Sequence, residues 1–136
     1  MRKHHTHRTN RRRGVAAVEF AVCLPVLVLV VFASVEACTM IFLRESLTVA
    51  AYESGRVALE KEVAAADVIA RGDALLTERS VSGGVVQVSP SDLTTVAAGE
   101  TIQITVSAPC EANAVSPVWF YGGKSLTSTV TVIREY

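Results

Sequence analysis

Histidine is missing from everything after residue 7: the three in the chain are His4, His5 and His7. A serine or cysteine nucleophile further along therefore has no imidazole base. Metal-ligand spacings and glycine-rich phosphate loops are missing as well. The sequence thus reads as no enzyme, with no cofactor and no metal site, and the three histidines read as part of a polar leader. Cysteine is scarce, at three residues, and poorly placed for a disulfide framework. Cys23 and Cys38 fall in one expected helix, about 22 Å apart along its axis, and read as small buried apolar residues. Cys110 stands alone downstream, as a free thiol or half of an intermolecular bond. Acids are missing from residues 1–14, and charge of either sign is missing from Phe20 to Val35.

The basic residues come first. Arg2, Lys3, Arg8, Arg11, Arg12 and Arg13 all precede Val15. That leaves seven basic residues against thirteen acidic ones from Val15 onward, a balance of −6 hidden by the overall neutrality. A basic head fused to an apolar run holds its side of a membrane in the cytoplasm. A nucleic-acid arm is the other reading of such a tail, and the apolar run attached to it argues against that.

The uncharged stretch Phe20–Val35 is sixteen residues long. As a helix it rises about 24 Å, short of a hydrocarbon core of about 30 Å. Starting from Val15 gives about 32 Å, enough to span. It also brings Glu19 into the lipid, at about 2.5–3.5 kcal/mol even on the lenient insertion scale. The simplest partner for that carboxylate is a free amine at Val15, made by a cut after Gly14. The new ammonium would lie one helical turn before Glu19, in its own chain or the next, and would favour the ionised acid. The same cut would remove the basic head.

"RRRG" followed by "VAAVEF" and an apolar helix resembles the class III signal of type IV pilin-like proteins. The Glu19-Phe20 pair is similar to that of the Tad (tight adherence) branch, and the chain most resembles a TadE-like minor pseudopilin. The likeness continues in "LPVLVLVVFASVEA", with Glu36 near the end of the apolar run, and in "LTVAAYESGRVAL", with Ala50, Ala51, Glu53 and Arg56. It covers about residues 11 to 58. The resemblance implies cleavage by a prepilin peptidase between Gly14 and Val15, with Glu19 and Phe20 completing the processing site. It implies Glu19 and Glu36 as subunit-packing residues. Its implied partners are the peptidase, other pilins and pseudopilins, an inner-membrane pilus assembly platform and the lipid bilayer, with no nucleic acid.

Past Leu43 the helical pattern continues. Leu47, Ala50, Ala51, Ser54, Val57 and Ala58 recur at three- and four-residue spacing, which extends the helix to about residue 65. Pro25 removes one backbone hydrogen bond inside the span and predicts a kink near Ala21 or Val22. "AAADVIARGDALLTER" predicts a second short helix with Val68, Ile69, Leu75 and Leu76 on its apolar side, weakened by Gly72. After "SGG" the period becomes two, and Val85–Ser89, Thr101–Ser107 and Leu126–Ile133 read as strands. Glu53 and Arg56, three apart, read as a solvated ion pair. In the loop Pro109–Lys124, Trp119, Phe120 and Tyr121 are either a contact patch for a partner or a surface, or rings covering the end of a small core.

The expected fold class is α+β: a long N-terminal membrane and stalk helix, a second short helix, and a small three-stranded antiparallel sheet. The expected division is a leader over 1–14, a transmembrane helix over 15–43 and an extracytoplasmic domain over 44–136. That arrangement suits a structural or assembly subunit in a bacterial inner membrane, with a cytoplasmic N-terminus and an outward domain. Two further readings stay open. "VEAC" at Val35–Cys38 loosely matches a lipoprotein or signal-peptidase box, which would make an exported or lipid-anchored binding module. An uncleaved single-span subunit of a membrane complex is the other.

Overall fold

The apolar residues change period twice along the chain, and the secondary structure changes with them. A computed structural model describes residues 8–115 and 120–135. Helix α1 runs Arg8–Ala58 and α2 Ala65–Glu78, followed by strands β1 (Val85–Ser89), β2 (Thr101–Pro109) and β3 (Ser125–Ile133). Short 3-10 turns, Leu93–Thr95 and Glu111–Asn113, follow β1 and β2. The expected α+β class, with a long helix, a short helix and an antiparallel sheet, is what the chain forms. The chain divides into two units, residues 1–35 and residues 36–136.

In the first unit, Val15, Val18, Phe20, Val22, Leu24 and the valines and leucines up to Val35 are all exposed. None of the most apolar window of this helix is buried by protein. A helix apolar all round is stable only in an apolar surrounding. The helix passes through Pro25 without interruption. Ser34, the one hydroxyl residue between Val15 and Val35, donates its Oγ hydrogen to the carbonyl of Val30 at 2.7 Å, which leaves no bare donor in an apolar medium.

In the second unit the same helix becomes amphipathic. Glu36, Met40, Leu43, Leu47, Ala50, Ala51, Ser54 and Ala58 are buried, at the three- and four-residue spacing of a single face. The expected transmembrane segment, 15–43, therefore shares its last turns with the core of the domain, because Met40 and Leu43 are enclosed there. The stripe ends at Ala58, because the next positions on that face, Lys61 and Glu62, are charged. The helix ends there too, short of the expected residue 65, and Glu62 turns the chain in the left-handed region at φ 59°.

The sheet has order β1-β2-β3, with both pairs antiparallel. Central strand β2 buries Ile102, Ile104, Val106 and Ala108 on one face. In register they meet Val86 and Val88 on one side and Leu126, Val130 and Val132 on the other. Small residues on α1 let the helix approach this surface. A Cβ on Gly55 would stand 3.2 Å from a methyl of Val132, and one on Gly72 only 2.7 Å from Ser54 Oγ and 2.8 Å from a methyl of Val86. Gly72, a weakness in the sequence pattern of α2, is thus the point at which α2 closes on α1 and β1. Asp67 accepts a hydrogen bond from the Ala64 backbone N–H at the start of α2. Ser80, at φ 57°, ends α2, with Val81 N–H bonding to the Leu76 carbonyl and Ser80 N–H to that of Thr77, the double closure typical of helix C-termini.

Candidate functional site

Two stretches carry the residues singled out by the sequence, and each lies within one unit. In the first, Gly14, Val15, Glu19 and Phe20 follow one another on α1, all exposed. Residues 15 and 19 are four apart and so share a face, one turn from each other. Among the described residues, no hydrogen bond or ion pair reaches the Glu19 carboxylate. Nothing described stands within 4 Å of where a Gly14 side chain would begin.

In the second, Glu36 opens the buried stripe of α1 and is 4% exposed. Its Oε1 accepts the backbone N–H of Phe120 at 2.9 Å and that of Tyr121 at 3.1 Å. Two N–H donors on one carboxylate oxygen supply the hydrogen bonds that allow such a group to be enclosed. The sequence paired Glu19 and Glu36 as packing residues for neighbouring subunits. Glu36 is bound inside its own chain and Glu19 is exposed.

The loop that Glu36 holds is closed at several further points. The Glu111 carboxylate accepts the Gly123 N–H at 2.8 Å, and Cys110 N–H donates to the Lys124 carbonyl at 2.9 Å. Lys124 Nζ donates to the Phe120 carbonyl at 2.7 Å and stands 5.6 Å from the centre of the Tyr121 ring, within cation–π range. Of the three aromatics proposed for this loop, Trp119 lies outside the described residues. Tyr121 packs against the core, and Phe120 remains 62% exposed. Of the two described rings, Tyr121 thus covers the core and Phe120 faces outward.

Sequence reasoning missed Asn113. Its side-chain amide donates to the carbonyls of Ser82 and Pro109, and its oxygen accepts the Ser82 N–H at 2.8 Å. It thereby ties the end of β2 to the turn after α2. Nothing about a lone asparagine in a loop distinguishes this in advance. The Arg134 guanidinium bonds to the Leu93 carbonyl in the same unadvertised way. Arg56 does meet Glu53, at 3.3 Å, and Arg71 of α2 joins at 3.7 Å. With the Arg56 side chain 67% exposed, this cluster contributes little.

Two of the three cysteines depart from their expected placement. Cys23 and Cys38 are exposed and Cys110 is buried, where loss of solvent pushes its thiol pKa up. Among the described residues, no group of three or more metal-binding side chains gathers.

A family model described as TadE-like protein matches residues 14–56. The chain carries a TadE-like segment. It begins at Gly14, takes in Glu19 and Glu36, and ends within the last turn of α1, leaving α2 and the sheet unmatched. No curated protein and no solved structure matches the chain. The match covers 43 of the chain's 136 residues, so the likeness is to that segment alone. Among the described residues, one helix is long and apolar enough to cross a membrane, within Gly14–Ala58.

Proposed function

We propose that this chain is a minor pseudopilin, a structural or assembly subunit of a Tad-type pilus or related secretion apparatus. It is inserted in the inner membrane with its basic head in the cytoplasm and its α+β domain outside. A prepilin peptidase cuts after Gly14, and the helix beginning at Val15 then packs with those of other pilins on the assembly platform.

The observation that carries this reading is Glu19. It is the only acid on an exposed helix with no other charge between Val15 and Val35, and no described side chain meets it. An ionised group in that setting calls for a counter-charge from outside the present structure. A cut at Gly14 supplies one, the α-ammonium of Val15, a single turn away. The Val15 amine of one subunit would then meet Glu19 of the next and set the register between them.

A cut ahead of Cys38 is less compatible with the fold. It would discard Glu36, and with it both hydrogen bonds to the Phe120–Tyr121 backbone.

N-terminal sequencing of protein recovered from membranes tests the proposal. A mature terminus at Val15 is expected. A terminus at Met1 would leave an uncleaved membrane subunit, and one at Cys38 a lipid-anchored module, either of which overturns it.

A further inference from the structure

Between Ala114 and Gly123 the chain has no charged side chain. Its described residues nonetheless include Val115, 83% exposed, and Phe120, 62% exposed. Exposed large apolar side chains on an uncharged loop are candidates for contact with something apolar.

The position of this loop indicates what it meets. At its start, Ala112–Ala114 line one small cavity with Thr39 and Phe42 of α1. At its end, Phe120 and Tyr121 are bonded to Glu36. The far end is thus bonded to α1 at Glu36 and the near end faces α1 across a cavity at residues 39 and 42, the first turns after the uncharged run closes at Val35. Those turns rise about 9 Å, close to the roughly 5–8 Å that the headgroup region adds to each side of the hydrocarbon core. On the same turns Ile41 and Phe42 are 60% and 55% exposed, although the helix buries its opposite face. Lys124 sits at the loop's end, with one ammonium hydrogen on the Phe120 carbonyl and two more to donate.

We propose that Phe120, Ile41, Phe42 and Lys124 form a collar that binds the lipid surface around the point where the helix leaves the bilayer. The aromatic and aliphatic side chains seat among the headgroups and Lys124 reaches a lipid phosphate. This is the use to which amphipathic rings and lysines are put at membrane interfaces. Glu36 is the positioning residue, because its two hydrogen bonds hold the loop at that level. The inference rests on the reading of Val15–Val35 as membrane-spanning.

The test uses the full chain in vesicles of phosphatidylcholine and phosphatidylglycerol, part of the phosphatidylcholine brominated on its acyl chains. Trp119 is the chain's one tryptophan and adjoins Phe120, so its fluorescence reports on the loop. Flotation with the vesicles first establishes the span; failure to float defeats the membrane reading and the collar with it. In floating protein, Trp119 emission is expected to shift to the blue, to be quenched by the brominated lipid and to resist aqueous iodide.

Two outcomes in floating protein overturn the collar while leaving the span intact. In one, iodide quenches Trp119 as freely as in the urea-unfolded chain, so the loop lies in water. In the other, Trp119 is shielded from iodide and from brominated lipid alike, so protein covers it. The variant Phe120→Ser, at an exposed position, is expected to lose much of the lipid quenching without changing the melting of the domain. Unchanged lipid quenching in that variant would also count against the collar.

Discussion

Helix α1 is one element with two chemistries. From Val15 to Val35 it is exposed and, Glu19 apart, apolar on every side; from Glu36 to Ala58 it buries one stripe and elsewhere presents polar groups along with Ile41, Phe42 and Tyr52. Each half holds a conspicuous acid. Glu36 is enclosed and satisfied by two backbone N–H groups of its own chain, whereas Glu19 has only the surroundings of its helix. A carboxylate inside a folded domain is a solved problem. The one on the exposed apolar helix has no such donors among the described residues.

The largest test of that contrast is Glu19→Leu. It is expected to leave membrane insertion and domain melting unchanged, measured by flotation and thermal denaturation, while abolishing assembly, measured by recovery of the subunit in sheared surface fibres. Normal assembly of the variant would remove the distinction between the two acids. Next in size is Leu47→Ala, at the centre of the buried stripe, expected to cost the domain about 2–5 kcal/mol in urea unfolding. The equivalent truncation of Leu29, on the exposed half, is expected to leave that midpoint where it was.

Glu36→Ala strands two backbone donors and is expected to cost about 1–3 kcal/mol, read as a lower melting temperature. The matching change at Glu19 is expected to cost the domain nothing, and similar losses from both would show the two halves to be less different than their burial implies.

Smallest is the response of Cys110. Because burial raises its thiol pKa, folded stability is intact below the ordinary cysteine value of about 8.5 and declines as pH rises through that value towards the raised one. In detergent, Cys23 and Cys38 are expected to react with a maleimide while Cys110 waits for unfolding. Mass spectrometry of the labelled chain at increasing pH checks both statements.

The elements were legible in the residues to an uneven degree. Strand β2 could be read from "TIQITVS" because every second residue is β-branched and apolar, and the sheet buries that face. Its extension to Pro109 was hidden, because Ala108 and Pro109 carry no strand preference and are recruited only by pairing with Leu126 and Ser125. The stop of α1 at Ala58 was missed for a related reason. Lys61 and Glu62 suit a helix in isolation, and only the end of the buried stripe makes them useless to it.

Gly72 looked like a flaw in α2 until Ser54 and Val86 appeared beside it. At the candidate site, Gly14, Val15 and Glu19 are informative in one dimension, since a charge in an apolar run is visible without coordinates. The donors for Glu36 lie 84 and 85 residues away along the chain, beyond any local pattern.

That separation has a bearing on how the molecule is made. Glu36 emerges from the ribosome early, directly behind the apolar run, and its two donors arrive only when synthesis is nearly finished. Until then the acid has to stay wet. A product truncated anywhere before residue 120 would lack both of these donors for a carboxylate that the complete protein encloses.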